Sequence, residues 1–308
     1  MTKHLLFIFF LFLLINNSYA QVTTGSLTGE VKDNKGEALA GATIKATHQP
    51  SGTVYSTAAN ATGKYTIPNM RVGGPYLVEC SYIGYQESTS PNVIVQLGEP
   101  YVINVNLISA GATLAEVNIT GSKDAVMNSK RTGASTHISR SQIEDLPTLS
   151  RSLQDFTRLT PQANGNSFIG TSNRFNNITI DGAVNNDVYG LSTTGTPGGP
   201  AGTQPISLDA IQEIQVVLAP YDVSYGNFTG GGVNAVTRSG TNEVQGSAYF
   251  YGKGQGLVGK SPLTNARYQS FTDSQFGFRV SGPIVKNRLF LFINGELGRR
   301  SAPTSNNA

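Results

Sequence analysis

The stretch Arg174–Tyr251 decides the fold. It opens as RFNNITIDGAVNNDVYG (174–190), crosses the Gly/Pro-rich run LSTTGTPGGPAGTQPI (191–206), and continues as SLDAIQEIQVVLAPYDVSYGNFTGGGVNAVTRSGTNEVQGSAYFY (207–251). ITID with Gly182 reads as a strand entering a tight Asp181-Gly182 turn. SLDAIQEIQVVL reads as a short helix running into a strand, and NAVTR as a further strand after a glycine cluster. Asp181, Asn185, Asn186 and Asp187 are rich in oxygen, but their spacing fails the EF-hand pattern, and turn chemistry explains the same residue types. Gly230-Gly231-Gly232 is no phosphate loop, because no Gly-Lys-Ser/Thr follows it. Its expected roles are backbone at φ > 0 and close chain approach.

Beyond Thr241 the pattern changes. Val244, Gly246, Ala248 and Phe250 alternate with Gln245, Ser247, Tyr249 and Tyr251. Phe276, Phe278 and Val280 alternate with Gln275, Gly277, Arg279 and Ser281. In LFLFINGEL, Leu289, Leu291, Ile293 and Leu297 share a face opposite Asn294 and Glu296. Apolar-out, polar-in alternation over about 10 residues suits a strand of a membrane barrel, although a soluble sandwich shares the period.

Upstream, the chain opens with a targeting segment. Leu5 to Ile15 is unbroken apolar, and Ser18 and Ala20 fit a signal peptidase site, so cleavage before Gln21 is expected. The apolar run is too short to span a bilayer as a helix, which takes about 20 residues. Residues 22–108 show short strands between turn signals: SLTGEVK, TIKATH, TVYSTA, KYTI, YLVECSYI and YVINVNL, with turns at Asp33–Gly36 and Asn60–Gly63. This spacing predicts an antiparallel β-sandwich. Cys80, the one cysteine, precludes an intramolecular disulfide and reads as a core residue.

Small residues at 109–113 mark a break, and LAEVNITG (114–121) follows. Ser139 with Gln142 forms a capping box ahead of Ile143 and Leu146, and Pro147 ends that helix. Ser150 or Ser152 begins a second helix, with Leu153, Phe156 and Leu159 on its apolar side. Both helices should pack on a small sheet, giving an α+β unit. His48 and His137 stand without a sequence-local cluster, no H-E-x-x-H or G-x-S-x-G occurs, and scattered Asp and Glu read as solvated. With a net charge of +3, 13% charged residues and no Lys/Arg cluster, nothing points to nucleic acid. No enzyme activity, metal site or cofactor is expected.

The series Ile211, Glu213, Ile214, Val216, Pro220, Tyr225, Gly226, Gly231, Gly232, Asn234, Thr237 and Arg238 resembles the plug motif of TonB-dependent outer-membrane receptors. Ala219 departs from it, where that family more often has Gly. GEVKDNKGEALAGATIKA…TGKYTI resembles the carboxypeptidase regulatory-like domain, an accessory module without catalysis, and the whole resembles the Oar-like subgroup. The resemblance implies a mainly β chain with these parts: signal peptide 1–20, transthyretin-like β-sandwich 22–108, linker 109–121, plug 122–241, and the first strands of a β-barrel over 242–308. It places the strand and turn of Asp181, Gly182, Asn186 and Asp187 in the plug core. It also implies that Leu114, Glu116, Val117, Asn118, Ile119 and Thr120 form a box offered as a strand to the periplasmic partner TonB; the same segment also reads as linker or first plug strand. The implied function is energised uptake of a ligand across the outer membrane, with a secreted binding or adhesion module as the alternative. About three barrel strands follow the plug and a membrane barrel needs at least ~8, so Glu243 onward is expected to be disordered, misfolded or aggregated in isolation.

Overall fold

A computed structural model describes residues 23–110, 134–148, 151–187, 189–190, 192, 195–198, 203–220 and 225–301. The signal segment and residues 114–120 lie outside them.

The N-terminal unit is a two-sheet sandwich. Its strands are β1 (Gly25–Asp33), β2 (Thr43–His48), β3 (Thr53–Ala58), β4 (Lys64–Met70), β5 (Gly73–Ser81), β6 (Ser88–Val95), β7 (Pro100–Val102) and β8 (Val105–Leu107). One sheet runs β4-β1-β7 with β8 also on β1, and the other runs β3-β2-β5-β6. Leu27, Val31, Ile44, Val78, Cys80, Val105 and Leu107 meet between the sheets. Burial pushes the Cys80 thiol up to about 11, so it is an inert core residue. The turns form as their residue types require: Asp33 Oδ1 accepts from the Lys35 and Glu37 amides, and Asn60 Oδ1 from those of Thr62 and Lys64.

Three expectations need correction here. The sandwich is not purely antiparallel, because β1 pairs in parallel with β7 and β8. YVINVNL is two strands, since the Ile103 N–H bonds to Thr28 O while its carbonyl accepts the Tyr65 hydroxyl. β6, in the Pro-containing STSPNVIV, is a further strand.

The second unit contains β9 (Ala134–Ile138), helix α1 (Arg140–Asp145), helix α2 (Gln154–Thr157) and a hairpin of β10 (Ala163–Asn164) with β11 (Ser167–Phe168). β12 (Asn177–Ile180), β13 (Ala183–Val184), β14 (Ile211–Leu218) and β15 (Gly232–Thr237) complete it. Its sheet runs β13-β12-β15-β14-β9. Ile138, Ile178, Ile214, Val216, Val233 and Ala235 face Ile143, Leu153, Phe156 and Phe168, the two-layer packing expected of an α+β unit. α1 begins as its sequence predicts, with Gln142 Oε1 accepting the Ser139 N–H at 2.9 Å. α2 is a single turn capped by Leu153 rather than by a serine. Leu159 is exposed, because an i, i+3, i+6 series drifts around a helix and this helix has already ended.

The last unit is an open antiparallel sheet of β16 (Gln245–Gly254), β17 (Thr272–Val285) and β18 (Leu289–Ser301), in order β16-β17-β18. Its inner face rests on the plug, with Ser247 and Arg279 reaching Asp209 and Tyr249 reaching Ser207.

Candidate functional site

The plug motif folds into two faces of one sheet. Along β14, Ile214, Val216 and Leu218 point toward the helices, whereas Glu213 and Gln215 point away. Register places His137, Gln215, Asn234 and Thr179 opposite one another across β9, β14, β15 and β12. They form a polar row on a buried face. Thr179 Oγ1 donates to Asn234 Oδ1 at 2.6 Å, and Asn234 Nδ2 to Gln215 Oε1 at 3.2 Å. The Tyr225 hydroxyl reaches the same Gln215 oxygen at 3.3 Å. Buried polar groups require such pairing, because an unpaired one costs about 1–3 kcal/mol.

The sandwich closes this face. Leu97, 0% exposed, lies between the two carbonyl-bearing side chains of β14. Its N–H donates to Glu213 Oε1 at 3.0 Å, and its carbonyl accepts from Gln215 Nε2 at 3.1 Å. His137 lies between two carboxylates: Nδ1 is 3.0 Å from Glu213 Oε1, and Nε2 is 3.3 Å from Glu99 Oε1 without hydrogen-bond alignment. Ser135 donates to Glu99 at 2.6 Å. Burial opposes protonation of His137, but Glu213 and Glu99 outweigh it and raise its pKa to about 9. The imidazole is therefore a cation at neutral pH. The two carboxylates read as solvated and the histidine read as isolated are thus one buried cluster. The partners lie 36 to 116 residues apart, so no local pattern announced them. The available signal was Glu213 and Gln215 alternating with Ile and Val in a strand with both faces buried.

The remaining motif residues do several jobs. Thr237 clasps the Asp181 turn, its N–H reaching Oδ1 at 2.8 Å and its hydroxyl Oδ2 at 2.6 Å. Asp181 and Gly182 have φ of +49° and +81°, the two left-handed positions of a tight hairpin between β12 and β13. Asn186 Oδ1 accepts from Ile178 N at 2.7 Å, and the Asp187 carboxylate accepts from the amides of Tyr189 and Ser192. These oxygens therefore serve the backbone. Gly226 supplies a carbonyl to Asn177 Nδ2. Arg238 Nη1 is buried 3.8 Å from Glu144. Ile211 is buried, Pro220 is half-buried, and the chain from 221 to 224 lies outside the described residues.

Of the two roles expected of the glycine cluster, positive φ and close approach, the structure has only the second. Gly230, Gly231 and Gly232 do not have positive φ. They permit close approach: a Cβ on Gly231 would sit 2.6 Å from the Phe168 ring and 2.9 Å from Leu218, and one on Gly230 would sit 2.5 Å from Asn176 Oδ1.

Plug and wall meet through groups that the sequence reading missed. Asp209 accepts from Arg140 at 3.0 Å within the plug and from Arg279 of β17 at 3.1 Å. Ser247 of β16 joins both Asp209 and Arg279. The Arg151 guanidinium stacks on the rings of Tyr249 and Tyr251, 4.5 and 4.1 Å from their centroids. On the other side of the wall, Phe250, Phe276, Phe278, Val280, Leu289, Leu291 and Ile293 are exposed as a continuous apolar band.

A sandwich, a plug sheet held against the polar side of a wall, and an outer apolar band define an outer-membrane receptor with an internal plug. The family comparisons agree. The carboxypeptidase regulatory-like domain matches residues 26–108, the TonB-dependent receptor plug domain 128–233, and an outer membrane beta barrel domain 236–308. The chain belongs to the TonB-dependent receptors. It is 24% identical over 305 residues to the TonB-dependent transporter Oar of Myxococcus xanthus, a match covering 88% of this chain and 27% of that protein. It is 28% identical over 184 residues to the probable TonB-dependent siderophore receptor PirA of Acinetobacter baumannii, covering 54% of this chain and 23% of that protein. The crystal structure of PirA aligns with 56% of this chain and 25% of its own at 23% identity and a TM-score of 0.43. The chain thus spans about a quarter of the length of these relatives.

Proposed function

We propose that this chain forms the gate of a receptor that takes up a ligand across the outer membrane, driven by TonB. The observation that carries the reading is the plug sheet held by polar bonds to the inner face of a wall whose outer face is apolar. A gate must leave its seat, and hydrogen-bonded seams can exchange with water as they part, which close-packed apolar seams cannot. In this reading the sandwich and residues 114–120 lie on the periplasmic side, and Leu114, Glu116, Val117, Asn118, Ile119 and Thr120 add a strand to TonB. The alternative, a secreted or cell-surface binding or adhesion module made of soluble β domains, does not account for the exposed aromatic and aliphatic band on β16–β18.

The test is Val117→Pro in the full-length receptor. Proline removes a ladder donor and fixes φ, so strand addition should fail. Cross-linking to TonB and ligand uptake should both drop sharply, while ligand binding at the cell surface persists. Unchanged cross-linking and uptake would refute the coupling role.

A further inference from the structure

A cleft of about 720 Å³ separates the sandwich from the plug. Arg71 of the sandwich and Arg140 and Arg238 of the plug line it, and Glu213 is the single carboxylate among the described lining residues. Glu213 is already committed to Leu97 and His137. Arg140 is neutralised by Asp209 and Glu144.

The other two guanidiniums are less completely paired: Arg71 has no ion pair among the described residues, and Arg238 shares Glu144 with Arg140 at the longer distance of 3.8 Å. Arg71 donates from Nη2 to the Gly240 carbonyl at 3.3 Å, two residues beyond Arg238, and no carboxylate pairs with it among the described residues. Arg238 Nη1 is buried without a hydrogen-bond partner, and its nearest carboxylate oxygen, on Glu144, is 3.8 Å away. Burial first, and then Arg140 and Arg279, lower the Arg238 pKa to about 10. Burial lowers that of Arg71 as well. His48, also on the wall, is held down to about 4 by burial and by Arg71, so it stays neutral and adds no competing cation.

A desolvated guanidinium is costly when it has no ion pair, as at Arg71, or leaves a buried N–H without a hydrogen bond, as at Arg238 Nη1, and a guanidinium fork matches phosphate and carboxylate geometry. We propose that this cleft binds a small soluble molecule through a phosphate or carboxylate group held between Arg71 and Arg238. The cleft exceeds the bulk of one such group and falls within the usual range of small-molecule pockets, so the ligand has a body as well as an anionic head. Because one arginine comes from each unit, the ligand would fasten sandwich to plug. This inference does not depend on uptake or on TonB.

Calorimetric titration of the full chain in detergent tests it, with pyrophosphate and citrate as probes and phosphatidylglycerol vesicles as a separate arm. At least one soluble probe should bind at one saturable site that weakens with salt. Arg71→Ala and Arg238→Ala should each weaken it about tenfold or more, the scale of a lost hydrogen bond to a charged group. Arg71→Lys, which keeps the charge and loses the fork, should weaken it less; it serves as the test if the alanine variant fails to fold. Arg174→Ala, on an exposed plug loop, should bind like the parent. No saturable binding of either soluble probe, equal binding by the Arg71 and Arg238 variants, or binding to vesicles alone would overturn the proposal.

Discussion

Ala219 carries its backbone at φ +49°, in the left-handed region that a Cβ disfavours. A glycine here would relieve about 1–2 kcal/mol of that strain and give back about 0.5–1 kcal/mol through a more flexible unfolded chain. Ala219→Gly should therefore stabilise the plug by up to about 1 kcal/mol, read as a higher denaturant midpoint with an unchanged slope. A lower midpoint would show that the turn before Pro220 is not strained by the methyl group. His137 makes the opposite kind of statement, because its interactions were bought at the cost of desolvation. Its folded pKa of about 9 lies above its ordinary 6.5, so the stability it contributes is fully present below 6.5 and disappears as pH rises through about 9. Stability measured from pH 6 to 10 should fall across that window. In Glu213→Gln the fall should still begin near 6.5 but end at lower pH and be smaller, since one of the two carboxylates that hold the proton is gone. A parent profile flat from pH 6.5 to 9 would refute the buried cation.

At the scale of elements, legibility followed the range of the forces involved. β2 and β3 were readable to the residue, because each is an alternating run bounded by turn residues that bond their own backbone. The first helix was readable from Ser139, Gln142 and Pro147. β6 was hidden by Pro91, which the chain tolerates in a strand lying at the end of the β3-β2-β5-β6 order. The parallel pairing of β1 with β7 and β8 depends on a return of more than seventy residues, which no local pattern encodes. The same holds for the site: the motif residues were nameable, but their partners His137, Glu99, Leu97 and Asp209 are tertiary. The sandwich core gathers all its buried side chains from residues 27–107, its own strands and the connecting residues Leu39, Ala42, Ala59 and Ile103 between them. Residues 23–110 expressed alone should thus melt cooperatively with a β-type circular dichroism spectrum. A broad, non-cooperative melt would mean that Leu97 needs the plug to complete the fold.

For the whole molecule, the wall separates two environments across one strand thickness, and neighbouring residues on β17 report on each. Arg279 points inward to Asp209 and Ser247, at 3.1 and 2.7 Å. Val280, the next residue, points outward in the apolar band and is half-exposed. In the full-length receptor, Val280→Arg places a charge against lipid, at about 2–4 kcal/mol near the bilayer centre and less toward the interface. It should reduce the amount of receptor inserted in the outer membrane. Arg279→Ala touches no lipid; it leaves Asp209 with one cation fewer and removes a strut between plug and wall. Insertion should stay normal, while the plug becomes easier to cleave with protease from outside. Paired measurements of heat-modifiable receptor and of plug cleavage distinguish the two effects. If both variants lowered insertion equally, or if Arg279→Ala left the plug as protected as the parent, the assignment of the two faces would be wrong.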